Sequence, residues 1–135
     1  MEFFSKIRER MERSLVVARE SGIAVADKHS IEIVDFIEKM IFCNMKTVRI
    51  VIEEYSHIRL FASGGNGKDC RKDLYFEYNY GGNRTIEQCD AFKTAYLERL
   101  KSELPEIEWK AFNGSSGLIA SIERDTILNS KQSNE

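Results

Sequence analysis

The sequence predicts an α+β fold: a mainly antiparallel sheet of about five strands, a three-stranded meander followed by a C-terminal hairpin, with three helices in the order ααβββαββ. Three observations predict it. Between Thr47 and Tyr80 the runs TVRIVIEE, HIRLFAS and DLYFEYNY alternate apolar and polar residues, the mark of strands with one buried face. The segments on either side carry apolar residues three and four apart, which is helical spacing. After Pro105, EIEWKAF and LIASIE alternate again on either side of Asn113 to Gly117, a turn whose Asn-Gly pair tolerates positive φ. Meanders and hairpins are local connections, and the apolar helical stripes need an apolar wall to cover.

Taken in order, residues 2–20 form the first expected helix, with Phe4, Ile7, Met11, Leu15 and Ala18 on one side and Lys6, Arg8, Glu9, Arg10, Glu12 and Arg13 around the remainder. Gly22 is expected to cap it, because glycine takes the left-handed conformation there. The narrow stripe suits a two-helix seam, within the chain or with a partner. A second helix is expected from Asp27 or Ser30, either of which can accept the first-turn amides. It carries Ile31, Ile33, Val34, Phe36, Ile37, Met40, Ile41, Phe42 and Cys43, apolar on more than one face, so Ile33, Phe36 and Phe42 require cover beyond the main stripe.

The three strands place Val48, Ile50, Ile52, Ile58, Leu60, Ala62, Leu74, Phe76, Tyr78 and Tyr80 on a core-facing wall. Thr85, with Glu87 and Gln88 close behind, opens a helix to Leu104 whose inner face is Ile86, Cys89, Phe92, Ala95, Tyr96, Leu100 and Leu104, and Pro105 ends it. Residues 1–128 are expected to form a single domain and 129–135 a solvated tail.

A formal charge of -2, from 20 basic and 22 acidic residues, supplies no net field that would draw nucleic acid or anionic lipid. No apolar run approaches the roughly eighteen residues of a membrane span, and charges interrupt the N-terminal apolar residues where a secretory signal needs a continuous run. The expectation is a cytoplasmic protein without a membrane partner. Cys43, Cys70 and Cys89 are odd in number and form no CxxC pair, which fits free thiols in a reducing compartment. A cage of these cysteines with His29 or His57 is the one metal site that composition offers. No metal or cofactor is expected.

The face opposite the core wall holds Thr47, Arg49, Val51 and Glu53, then His57, Arg59 and Phe61, then Tyr75, Glu77 and Asn79. Arginine beside aromatic residues on a sheet can stack on bases or anchor a protein, or can sit in cross-strand Arg–Glu pairs. The loop SGGNGKD is not a phosphate-binding loop: Ala62 stands where a glycine belongs, Asp69 follows Lys68, and a strand follows rather than a helix. Lys68, Arg71 and Lys72 still offer weak anion contacts. For acid–base work His57 beside Glu53 and Glu54 is the best group, with Ser56, Ser63 or Cys70 as nucleophile.

Three families are similar in element order. Helix, three strands, helix and strand resembles the core of restriction-endonuclease-like nucleases, which hold a metal with an acidic residue and an E-x-K motif. Here Glu108-Trp109-Lys110 has that spacing but follows the helix, and Glu77-Tyr78-Asn79 stands where the motif belongs. Helix, three strands, helix also resembles double-stranded RNA-binding domains, whose second helix opens with a lysine cluster. This one opens GGNRTIEQ with Arg84 alone. In size and element order the chain is similar to class I type III secretion chaperones, small acidic dimers of helices and strands.

The residues therefore point to a non-catalytic interaction protein of inhibitor, adaptor or dedicated-chaperone type that binds a macromolecular partner and works as a homodimer. Its association residues are Phe4, Ile7, Met11, Leu15, Phe36 and Phe42. The alternative is a nucleic-acid-binding protein, with or without metal-dependent cleavage, using Arg49, Arg59, Phe61, Lys68, Arg71 and Tyr75.

Overall fold

The structure, a computed structural model, describes residues 2–53, 57–65, 68–76, 84–111 and 117–130. Its order is α1 (Glu2–Phe42), β1 (Thr47–Ile52), β2 (His57–Ser63), β3 (Cys70–Tyr75), α2 (Ile86–Glu103), β4 (Lys110–Ala111), β5 (Leu118–Glu123) and α3 (Arg124–Ser130). The α+β class, the antiparallel five-stranded sheet and the three helices are those the sequence predicts, but the helices are distributed differently. The two expected N-terminal helices are one helix of 41 residues. A short α3 follows β5 and takes in Asn129 and Ser130, read above as tail, while 131–135 lie outside the described residues.

The chain divides into two compact units. The first comprises residues 1–30 and 77–104, the second 31–76 and 105–135, so α1 contributes to both. In the first unit, α1 and α2 run in parallel. Ala18, Gly22 and Ala26, four residues apart on one line of α1, are buried and let α2 approach closely. A Cβ at Gly22 would run into the Phe92 carbonyl oxygen and stand 3.1 Å from the Tyr96 amide nitrogen. Gly22 is thus a point of close helix approach inside α1, not its C-terminal cap, and the helix continues because nothing in its backbone stops it. Cys89, Phe92, Tyr96 and Leu100 form the buried line of α2. Thr85 and Gln88 make a reciprocal capping box: the Gln88 amide donates to Thr85 Oγ1 at 3.1 Å and the Thr85 amide to Gln88 Oε1 at 2.7 Å.

In the second unit the sheet has the order β3-β2-β1-β5-β4, antiparallel throughout. Registers Ile50↔Leu60, Ile50↔Ala120 and Ile58↔Leu74 bring the alternate apolar residues to one face, and these residues are buried. Tyr78 and Tyr80, also expected there, lie outside the described residues. β3 starts at Cys70, three residues before the expected strand DLYFEYNY, and the register sets Lys72 opposite Leu60. The Lys72 ammonium lies 4.0 Å from Glu32 Oε1, tying the second half of α1 to β3. Ile33, Phe36 and Met40 in this half of α1 are buried.

α1 ends in a Schellman motif. Met45 donates to the Met40 carbonyl and Asn44 to that of Ile41, both at 3.0 Å, with Asn44 at φ 60° and both methionines buried. No helix among the described residues is long and apolar enough to cross a membrane.

Candidate interaction surfaces

α1 carries one stripe along its whole length. Phe4, Ile7, Met11, Leu15, Ala18, Gly22, Ala26, His29, Ile33, Phe36 and Met40 share a face at about 100° per residue. From Ala18 onward these residues are buried, yet Phe4 is 61% and Met11 62% exposed, Ile7 is exposed and Leu15 half-buried. The reason is axial. Arg99 Nε donates to Asp27 Oδ1 at 2.8 Å across a sequence separation of 72, and that offset sets Ile86, the first residue of α2, level with Ser14. Residues 2–13 thus overhang α2 by about 18 Å at 1.5 Å per residue.

Where the overhang meets α2, a groove of about 460 Å³ opens between the helices, lined by Leu15 and Arg19 of α1 and by Glu87, Asp90, Ala91, Thr94, Ala95 and Glu98 of α2. A second hollow of about 330 Å³ shares Arg19, Ala95 and Glu98 and extends it past Ile23 to Arg99 and Ser102. The floor is small and apolar and the α2 wall is acidic. Arg99 is committed to Asp27 and to Glu103, 3.4 Å away, whereas Glu87, Asp90 and Glu98 have no ion pair among the described residues. Sequence reasoning missed this groove. Its signal was the line of Glu87, Asp90, Thr94 and Glu98 beside Ala91 and Ala95, which reads as an ordinary solvated helix face.

Of the other association residues, Phe36 is 8% exposed and its surface is used within the chain, as is that of Ile33. Phe42, in the last turn of α1, is 80% exposed.

The outer sheet face gathers Arg49, Arg59, Phe61 and Tyr75 as expected, and adds Arg71 because β3 begins early. Its charges are largely matched. Arg71 forks onto Asp73, with Nε to Oδ1 and Nη2 to Oδ2 both 3.2 Å, while its guanidinium carbon lies 5.5 Å from the Phe61 ring centroid. The hydrogen bonds from Arg71 hold the Asp73 carboxyl below its ordinary pKa, and Asp73 in turn raises that of Arg71. Arg59 Nη2 sits 3.2 Å from Glu53 Oε1 and its Nε donates to His57 Nε2 at 3.0 Å. Arg49, opposite Phe61 and Ser121, has no ion pair among the described residues. Lys68 is exposed ahead of β3. Val51 is buried on this face, in register between Arg59 and Ile119.

The remaining chemical candidates do not assemble. His57 stacks on Tyr75 with ring centroids 5.3 Å apart, its Nε2 lone pair accepts from Arg59, and its Nδ1 is 4.0 Å from Glu53 Oε2, so the imidazole is held as part of a surface network. Glu54 and Ser56 lie outside the described residues, as does Glu77-Tyr78-Asn79. Glu108 and Lys110 line a hollow of about 140 Å³ with Ile119, Ala120 and Ser121, and no second carboxylate lines it. Among the described residues no group of three or more His, Cys, Asp or Glu could hold a metal, and the cysteine cage is not formed. His29 is instead buried on the α1 stripe, with its Nδ1 hydrogen-bonded to the Tyr96 hydroxyl at 2.8 Å. Burial pushes the Tyr96 phenol well above its ordinary pKa, so it keeps its proton. No protein-family model, curated protein or solved structure matches the chain.

Proposed function

We propose that the protein is a non-catalytic interaction protein, of inhibitor, adaptor or dedicated-chaperone type, that binds a macromolecular partner through the overhanging stripe of α1. One observation carries this reading: a helical segment of about a dozen residues, unsupported by α2, holds Phe4, Ile7 and Met11 in water. It is the free end of a continuous helix, carried by the rest of α1 and not by contacts with α2. Full burial of such a side chain is worth about 1.5–3 kcal/mol, and covering the part that each still exposes recovers the corresponding fraction before the costs of association. The engagement of His57 and Asp73 by neighbouring arginines also favours a binding role over a catalytic one.

The test is Met11→Glu with Leu15→Glu. The variant is expected to lose association, with itself and with proteins of the native host, while its circular dichroism keeps the folded helical signal. A wild type that neither self-associates nor retains any host protein would defeat the proposal.

A second reading, nucleic-acid binding on the outer sheet face, is favoured by Arg49 beside Phe61 and opposed by the carboxylates on Arg59 and Arg71. It requires binding that weakens steeply with salt and is lost in Arg49→Ala plus Arg59→Ala.

A further inference from the structure

Resting on that reading, we propose that the groove between α1 and α2 receives the α1 overhang of a second copy, laid antiparallel, so that each copy fills the other's groove. Charge is the first argument. Arg8 borders the exposed stripe and Arg10 lies further round on its other side, both without a carboxylate partner among the described residues; Glu12 lies about as far from the stripe as Arg10, while Glu2 and Glu9 fall on the opposite side of the helix. The groove offers the complement in Glu87 and Asp90, which are equally unpaired. An anionic lipid surface or a nucleic acid would be attracted by the arginines but repelled by that acidic wall, whereas a second copy satisfies both signs at once.

Geometry is the second argument. Leu15 belongs both to the stripe and to the groove, so an antiparallel copy continues one apolar seam into the other. The offset between Asp27 and Arg99 sets Asp90 level with Ala18, and Ala95 level with Ile23. A two-fold axis level with Arg13 then carries Arg8 of one copy to Asp90 of the other and Phe4 towards Ala95, whose small side chain leaves room for an aromatic ring. Such an interface is isologous, and every contact in it occurs twice.

The experiment is sedimentation equilibrium of the full chain over a concentration series, for wild type, Arg8→Glu, Asp90→Arg, the two combined, and Met11→Glu. Wild type is expected to dimerise. Each single charge reversal should weaken the dimer by roughly tenfold, because two like-charge contacts are created per interface. The combined variant should return to within about threefold of wild type, a recovery that misfolding cannot produce. A monomeric wild type overturns the inference. So does a dimer that Met11→Glu dissociates but Asp90→Arg leaves unchanged, an outcome under which the stripe still binds and only the groove is wrong. Monomers that bind vesicles of anionic phospholipid, and lose that binding in Arg8→Glu, would assign the overhang to a lipid surface and overturn it as well.

Discussion

Gly22 sets two effects against each other. In a helix interior, alanine in place of glycine ordinarily adds about 1 kcal/mol of stability. Here the new methyl would meet the backbone carbonyl of Phe92, which cannot swing aside as a side-chain tip could. Overpacking of that kind costs about 1–3 kcal/mol, so Gly22→Ala is expected to lower the urea midpoint, and a raised midpoint would mean that the helices are not in such close contact. Glycine after an apolar stripe can mean a stop or a close approach, and only the partner helix decides between them. His29 was legible only as a possible metal ligand, because a helix ended at Gly22 hides the face that it occupies in the continuous α1. It shares the face of Ala18, Gly22 and Ile33, and a polar residue on a buried face needs a hydrogen-bonding neighbour, here the Tyr96 hydroxyl.

At the scale of single elements, α2 was read nearly to the residue, because its signals are local: Thr85 and Gln88 satisfy each other's amides and Pro105 follows the last turn. Thr85→Ala is expected to cost about 1 kcal/mol in urea denaturation. Adding Gln88→Ala should cost less than the sum of the two single changes, since both act in one box. The strands β1 and β2 were legible for a comparable reason, as alternation fixes the face. The start of β3 was hidden because Cys70, Arg71, Lys72 and Asp73 hold no apolar alternation, and Lys72, opposite Leu60 by register, stays exposed with its ammonium 4.0 Å from Glu32. The overhang of α1 could not be read at all. Sequence shows that Phe4, Ile7 and Met11 form a stripe, but which part of a stripe is covered depends on where the other helix begins along its axis.

At the scale of the molecule, the outer sheet face makes stability depend on acid. Asp73 titrates lower in the folded protein than in the unfolded chain. Its pairing with Arg71 therefore contributes fully above the unfolded carboxylate value of about 3.9 and is lost as the pH falls through the lower folded value. Wild type should be more stable than Asp73→Asn at neutral pH, and the difference should close in strong acid when urea midpoints are compared across pH. A difference that persisted below the carboxylate range would assign the effect to packing.

The placing of β1 between β2 and β5 also bears on how the chain assembles. One side of β1 is paired by a neighbour six residues along the chain at the hairpin's near end, Ile52 with Ile58, but the other waits for β5, and Thr47 meets Glu123 across 76 residues. Closing so large a loop is slow compared with forming a hairpin. On a ribosome adding roughly 5–20 residues per second, β1 is made several seconds before its second neighbour exists. During that interval the central strand of the finished sheet is an open edge on a nascent polypeptide, free to pair with any other extended chain in reach.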